Sequence, residues 1–226
     1  MLVDVKSIVE NKKDILKSTV SKLKRKPKLA LINASDDESS KIYINKKRKV
    51  CSEIGILESE YTFKETATTQ DILNKINELN LDNTVDGILV QLPLFKHLDQ
   101  NKIINSILPN KDVDGFNVLN LGKLITNENG IVSCTPKGIM MIIDSLNIDL
   151  NGLNAVVIGR SIIVGKPIAQ LLLNRNATVT IAHSKTRDLK FFTKNADLIV
   201  VAAGVPKLLK EDMVNKNCII IDVRNQ

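Results

Sequence analysis

Tyr43 and Lys47 stand four residues apart. On a helix that spacing puts both on one face, where a ring can stack on a flat substrate while the amine moves a proton. Alone, the pair reads more simply as a solvated lysine beside a half-buried tyrosine. A second stretch able to do chemistry is Ile158-Gly159-Arg160-Ser161-Ile162-Ile163-Val164-Gly165-Lys166-Pro167. It sits between an apolar strand and an apolar-periodic helix, where backbone amides and a helix N-terminus attract anions. Its match to Gly-x-Gly-x-x-Gly is incomplete: Ser161 replaces the middle glycine, and the last glycine comes one residue late. A strand–helix turn without a ligand fits the same letters.

The strand after that turn separates the two readings. Sites for NAD commonly end it with Asp or Glu, whose carboxylate grips the ribose hydroxyls. Here Thr178 to Ala182 is followed by His183-Ser184-Lys185-Thr186-Arg187, with no acid. Hydroxyl and cationic groups suit a 2′-phosphate, and Arg160 is placed to join them. The expectation is therefore NADP. The Tyr-x-x-x-Lys spacing also occurs in short-chain dehydrogenases, but there it follows the dinucleotide turn. Here it precedes the turn by far, and that reading fails.

The elements that must position these groups alternate. Helical spacing runs from Val5 to Lys24 and is stopped by Pro27. Leu29 to Ile32 reads as a buried strand, and Ser39 and Ser40 can cap a second helix that runs to Glu53 and ends at Gly55. A strand near Ile56 to Tyr61, a helix from Thr69 to Leu79 and the strand Ile88-Leu89-Val90 follow, leaving Gln91 at a strand edge before Leu92-Pro93. Helices near Asn101 to Ile107, Pro136 to Leu146 and from Gly165, with strands at Ala155 to Ile158, Thr178 to Ala182, Leu198 to Ala202 and Ile219 to Val223, complete the pattern. Strand–helix alternation predicts α/β architecture with right-handed crossovers, divided near Thr135 to Gly138 into residues 1–137 and 138–226.

Composition narrows the class. Of 226 residues 43% are apolar and 25% charged, enough for a packed core. Aromatics are only 3%, so the core must be Ile, Leu and Val, as in parallel strands buried on both faces. No apolar run approaches the roughly 20 residues of a membrane span, and the opening Met1-Leu2-Val3-Asp4 lacks a signal-peptide layout. Cys51, Cys134 and Cys218 are far apart, which argues against a disulfide framework or a metal site and for the cytoplasm. The net charge is +7. Its basic residues are spread, and aromatics for stacking are scarce, so a nucleic-acid partner is not expected. The Lys46-Lys47-Arg48-Lys49 run is the best argument on the other side.

Read together, five ordered segments carry a resemblance. They are Ser40-Lys41-Ile42-Tyr43-Ile44-Asn45-Lys46-Lys47, Asp86-Gly87-Ile88-Leu89-Val90-Gln91-Leu92-Pro93-Leu94, Pro109-Asn110-Lys111-Asp112-Val113-Asp114-Gly115-Phe116, Cys134-Thr135-Pro136-Lys137-Gly138, and the turn from Gly159 to Pro167. Over nearly its whole length the chain resembles the bifunctional methylenetetrahydrofolate dehydrogenase/cyclohydrolase family. The resemblance implies an N-terminal α/β catalytic domain, a C-terminal Rossmann-like NADP-binding domain with a parallel sheet, and a cleft between them. It implies hydride transfer from 5,10-methylenetetrahydrofolate to NADP, then hydrolysis of the methenyl product to 10-formyltetrahydrofolate. By similarity Lys47 moves the proton, Gln91 orients it, Tyr43 stacks on the folate and Asp114 anchors the pterin. Leu92, Pro93 and Gly115 complete the substrate site. Gly159, Arg160, Ser161, Val164, Gly165, Pro167, His183, Ser184 and Lys185 hold the cofactor. A homodimer through the dinucleotide-binding domains is implied as well. Lys46, Arg48 and Lys49 are expected to lie on other parts of the helix surface and to serve as controls.

The sequence departs from the family in three places. Ala34-Ser35-Asp36-Asp37-Glu38-Ser39-Ser40 replaces a Val-Gly-Asp-x-Pro-Ala-Ser loop, and Ser133 stands where proline is common. The chain also stops at Gln226, where the family continues through a Pro-Gly-Gly-Val-Gly-Pro-Met-Thr loop and a final helix. A shortened, catalytically impaired dinucleotide-binding relative is therefore the alternative expectation.

Overall fold

The computed structural model describes residues 3–223; Met1, Leu2 and Arg224 to Gln226, named in the readings above, lie outside the described residues. The chain divides into two compact units, Met1–Leu119 and Asn120–Gln226. That junction falls upstream of the Thr135 to Gly138 stretch where the motif order puts the division.

The first unit opens with α1 (Val5–Ser21), capped by the Asp4 carboxylate on the amides of Lys6 and Ser7. Its apolar periodicity predicts a buried face, yet none of its residues is buried. It lies along α2, with Lys13 paired to Glu53 at 2.9 Å. Then come β1 (Lys28–Asn33), α2 (Glu38–Ile54), β2 (Leu57–Thr62), α3 (Thr69–Leu81), β3 (Gly87–Gln91) and α4 (Gln100–Asn105). The cap of α2 is not Ser39 or Ser40 but Asp37, whose carboxylate accepts the Ser40 amide at 2.9 Å. Acid at that position also suits the positive helix end. Thr68 and Asp71 form a reciprocal capping box on α3.

All three strands are parallel, in the order β2-β1-β3. One face packs Ala30, Ile32, Ile88 and Val90 against Ile72, Ile76 and Leu79 of α3. The other sets Leu31 and Leu89 against Ile44 of α2. Burial on both faces is why these strands read as continuous apolar runs. From β1 the chain goes to β2 on one side and to β3 on the other, so the carboxyl ends of β1 and β3 flank a topological switch point, where open α/β sheets bind ligands.

In the second unit α5 (Val118–Ile125), which begins at the junction, and α6 (Cys134–Ser145) precede β4 (Asn154–Ile158), α7 (Gly165–Asn174), β5 (Thr178–Ala182), α8 (Leu189–Lys194), β6 (Leu198–Val201) and β7 (Ile219–Asp222). The four strands are parallel in the order β5-β4-β6-β7. Ile139, Ile143, Ile168 and Leu172 pack on one face with Val157 and Val200; Val156, Ile158 and Ile199 point to the other. The switch point here lies at the carboxyl end of β4. Neither α5 nor α8 was legible in the sequence: each is short, and five of the eight residues of α5 are apolar without a cap signal.

Candidate active site

In the first unit the helix and the sheet edge meet as the spacing predicts. Ile44 is buried on Leu31 and Leu89, which fixes the rotation of α2. Lys47, three residues on, faces the same sheet and reaches back toward the helix N-terminus. Its Nζ donates to Gln91 Oε1 at 3.1 Å. Gln91 is buried, the last residue of β3, and its Nε2 donates to the Leu92 carbonyl at 2.7 Å. That second bond fixes the amide, so its oxygen is the atom turned to the lysine. The following Leu92–Pro93 peptide bond is cis. Tyr43 is 40% exposed, and Lys46 Nζ stands 5.9 Å from its ring centroid.

Asp114 reaches this site on a built turn. Gly115 adopts φ +66°, which favours glycine, and its amide is held by Asp112 Oδ1 at 3.1 Å. Asp112 Oδ2 takes the Asn117 amide at 2.9 Å, and Ile88 donates to the Lys111 carbonyl at 2.7 Å. The segment is thereby laid along β3. Lys111 is buried, and its Nζ donates to the carbonyls of Leu79, Asn80 and Asp82 at 2.8–2.9 Å, neutralising the carboxyl end of α3. Burial pushes the Asp114 carboxyl above its ordinary range; Lys47 opposes that shift and Asp112 adds to it. Lys47 is thus close enough to Asp114 to act on it electrostatically.

The control residues need correction. Arg48 pairs with Glu58 and Glu60 of β2, and Lys46 sits over Tyr43. Only Lys49 remains a bystander of the three.

In the second unit the turn from Gly159 to Gly165 is a tight strand–helix junction. Gly159 has φ +128°, and a Cβ there would collide with the Ala202 carbonyl; a Cβ at Gly165 would collide with the Gly159 carbonyl. Such a cradle is what a pyrophosphate needs to approach backbone. Ser161 replaces the middle glycine for a reason the structure supplies: its Oγ accepts the amides of Val164 and Gly165 at 3.1 and 3.2 Å, and its carbonyl takes Lys166 N at 2.9 Å. The first amides of α7 are thus already capped, and Pro167, which is buried, has none. Ser133, 3% exposed, donates its hydroxyl to the Ile163 carbonyl at 2.7 Å rather than capping α6, and so ties the turn to the start of α6.

Ile158 and Ala182 are register partners, and Gly159 N donates to the Ala182 carbonyl at 2.8 Å. The loops bearing Arg160 and His183 to Arg187 therefore leave adjacent strand ends. Arg160, Ser184 and Lys185 are exposed. His183 is half-buried: its Nδ1 accepts Lys185 N at 3.1 Å, and its amide donates to Thr186 Oγ1 at 2.9 Å. Val164 packs on the core from the turn's end. Cationic and hydroxyl side chains around a glycine cradle fit a phosphorylated dinucleotide.

Two family models match the chain: the catalytic domain of tetrahydrofolate dehydrogenase/cyclohydrolase over 3–114, and its NAD(P)-binding domain over 133–226. The chain belongs to that family. The bifunctional protein FolD of Campylobacter hominis is 48% identical over 225 residues, 98% of this chain and 79% of the relative. The FolD dehydrogenase/cyclohydrolase structure from Campylobacter jejuni superposes with a TM-score of 0.96 at 43% identity, covering 97% of this chain and 79% of that one. The Trypanosoma brucei enzyme, solved with NADP and an inhibitor, gives a TM-score of 0.92 at 29% identity, covering 97% of this chain and 77% of that one.

Within this family member, the first unit brings Lys47 and Gln91 into direct contact and Asp114 into their electrostatic neighbourhood, with Tyr43 one turn before Lys47 on the same helix. Leu92 supplies a carbonyl that fixes Gln91, and Pro93 is exposed beside it. Sequence reasoning missed Lys111, Asp112 and Asn117. A lysine or aspartate inside a Pro-Asn-Lys-Asp run carries no sign of burial, and only the folded loop shows which carbonyls it meets.

Proposed function

We propose that this chain catalyses NADP-dependent oxidation of 5,10-methylenetetrahydrofolate to the 5,10-methenyl form and hydrolyses that product to 10-formyltetrahydrofolate. Family membership supports both steps, and the observation that carries the site is the Lys47–Gln91 contact of 3.1 Å at the β1/β3 switch point. In this reading residues 1–137 bind folate and residues 138–226 bind the dinucleotide.

Bound NADP supplies the hydride acceptor. Gly159 and Gly165 let it approach backbone, and Arg160, Ser184 and Lys185 answer its 2′-phosphate. Ser161, Val164, Pro167 and His183 shape the surrounding turn. Tyr43 stacks on the folate, Asp114 accepts hydrogen bonds from the pterin, and Leu92, Pro93 and Gly115 line its position. In the second step water adds to the methenyl carbon, a carbon–nitrogen bond breaks, and the leaving nitrogen must gain a proton while the attacking water loses one. Lys47 moves that proton, and Gln91 holds its amine in place.

The same reading places the chain in the cytoplasm as a homodimer, with no nucleic-acid or membrane partner. Among the described residues no helix is long and apolar enough to cross a membrane. The apolar groove lined by Leu121, Leu124, Ile125, Leu173, Val179 and Ile181 of the second unit supports a subunit contact there. The impaired-relative alternative is not favoured, since Lys47 and Gln91 are assembled. Following NADPH formation and methenyl decay separately tests the proposal. Both signals are expected; NADP binding with neither signal would return the chain to the impaired alternative.

A further inference from the structure

Asn33 ends β1 as Gln91 ends β3, and the two are register partners on adjacent strands. Side chains alternate along a strand. Leu31 and Leu89 face Ile44 of α2, so Asn33 and Gln91, two residues further along, point to the same side as Lys47. Asn33 is only 5% exposed, and its Oδ1 is buried with no hydrogen-bond partner. Native folds rarely keep such an atom. Glu58 also has one buried oxygen without a partner, but its other oxygen pairs with Arg48; Asn33 has no such second contact. Across the same face, the charged Lys47 amine has three N–H donors, and among the described residues it makes one hydrogen bond, to Gln91.

We propose that the Asn33 side-chain carbonyl is a second acceptor for the Lys47 amine, which is then positioned between two strand-end amides as it moves the proton of the hydrolysis step. This rests on the function proposed above. Asn33 is a positioning residue: it acts on the reaction through Lys47. The arrangement gives the amine a place to go when substrate chemistry draws it from Gln91, without leaving the sheet edge. The other ionisable groups around Lys47 are Asp114 from the loop after β3, Tyr43 and Cys51 on its own helix, and Glu58 of β2, already paired with Arg48. None of them lies at the end of β1.

The test uses Asn33→Leu, close in shape but without the carbonyl, and Asn33→Asp. Losing the acceptor should leave the amine less well placed for the hydrolysis step. Cyclohydrolase kcat should therefore fall about tenfold in Asn33→Leu with KM for the methenyl substrate unchanged, and Asn33→Asp, which keeps an acceptor, should recover most of that loss. Dehydrogenase kcat should stay within about twofold. Unchanged cyclohydrolase kcat in Asn33→Leu overturns the proposal. So does an equal loss in both variants or in both activities, or a failure of Asn33→Leu to fold, any of which would make the amide a structural one. Lys47→Met separates the two claims. If it hydrolyses normally, the proton-transfer reading itself fails; if it is inactive while Asn33→Leu keeps the parent's cyclohydrolase kcat, only this inference fails.

Discussion

Lys47 and Asp114 carry opposite demands at one sheet edge. Lys47→Met keeps most of the side-chain bulk and removes the titratable amine, and an acid–base group of this kind contributes about 10²–10⁴-fold. Cyclohydrolase activity should fall by that order while dehydrogenase activity survives in part, because hydride transfer depends mainly on alignment with the nicotinamide. Lys49→Met is the matched control, in place of Arg48 and Lys46. Comparable loss in both variants would remove Lys47 from the mechanism. Asp114 makes a stability statement. Its carboxyl is raised by burial, so the folded chain holds that proton more tightly than the unfolded one. The contribution to stability is favourable below the ordinary carboxylate range of about 3.9 and is lost as pH rises through the folded value. Asp114→Asn should therefore melt higher than the parent at neutral pH, and the gap should narrow as pH falls toward about 4. A gap independent of pH would show that ionisation is not its source.

At the scale of elements, the site depends on how α3, β3 and the Lys111 to Asn117 loop are joined. The Lys111 ammonium closes three carbonyls at the end of α3, and its backbone carbonyl takes the Ile88 amide. Removing the charge while keeping the stem takes that donor from the Leu79 and Asn80 carbonyls, while the Asp82 carbonyl keeps the Val85 amide at 3.1 Å. Lys111→Met should destabilise the chain by about 2–4 kcal/mol, read as a lower denaturation midpoint in urea. A midpoint unchanged from the parent would mean that water replaces the amine without penalty. The Ser133 hydroxyl on the Ile163 carbonyl plays a similar joining part for the turn before α7.

For the whole molecule, cofactor choice is the sharpest test. A ligand that binds only the folded state raises the melting temperature in proportion to the logarithm of its saturation. At equal concentrations NADP should raise Tm more than NAD. Arg160→Ala should erase most of that difference by removing a charge-assisted phosphate contact of about 1.5–3 kcal/mol. The lower end is expected, because Arg160 is exposed and solvent screens it. Equal losses for the two cofactors would deny it the phosphate role.

By itself the sequence determined the α/β alternation and most strand positions, and it singled out the candidate groups for chemistry. Apolar runs such as Leu29 to Ile32 and Leu198 to Val201 can only be strands buried on both faces, and a glycine-bounded turn between strand and helix can only be a tight crossing. The ordered motifs around Lys47, Gln91 and Asp114 carried the resemblance to the family. What the letters could not carry was partnership across long separations. Asp37 rather than Ser39 or Ser40 caps α2, because the chain direction leaving β1 decides which oxygen meets the free amides. Arg48 is engaged rather than idle because β2 brings Glu58 and Glu60 beneath it. Ser161 departs from a glycine motif because its hydroxyl accepts the first amides of α7. Asn33 carries no signal at all in sequence. Its placement beside Gln91 is set by the register of two parallel strands joined through β2 and two helices, and register is a property of the packed sheet.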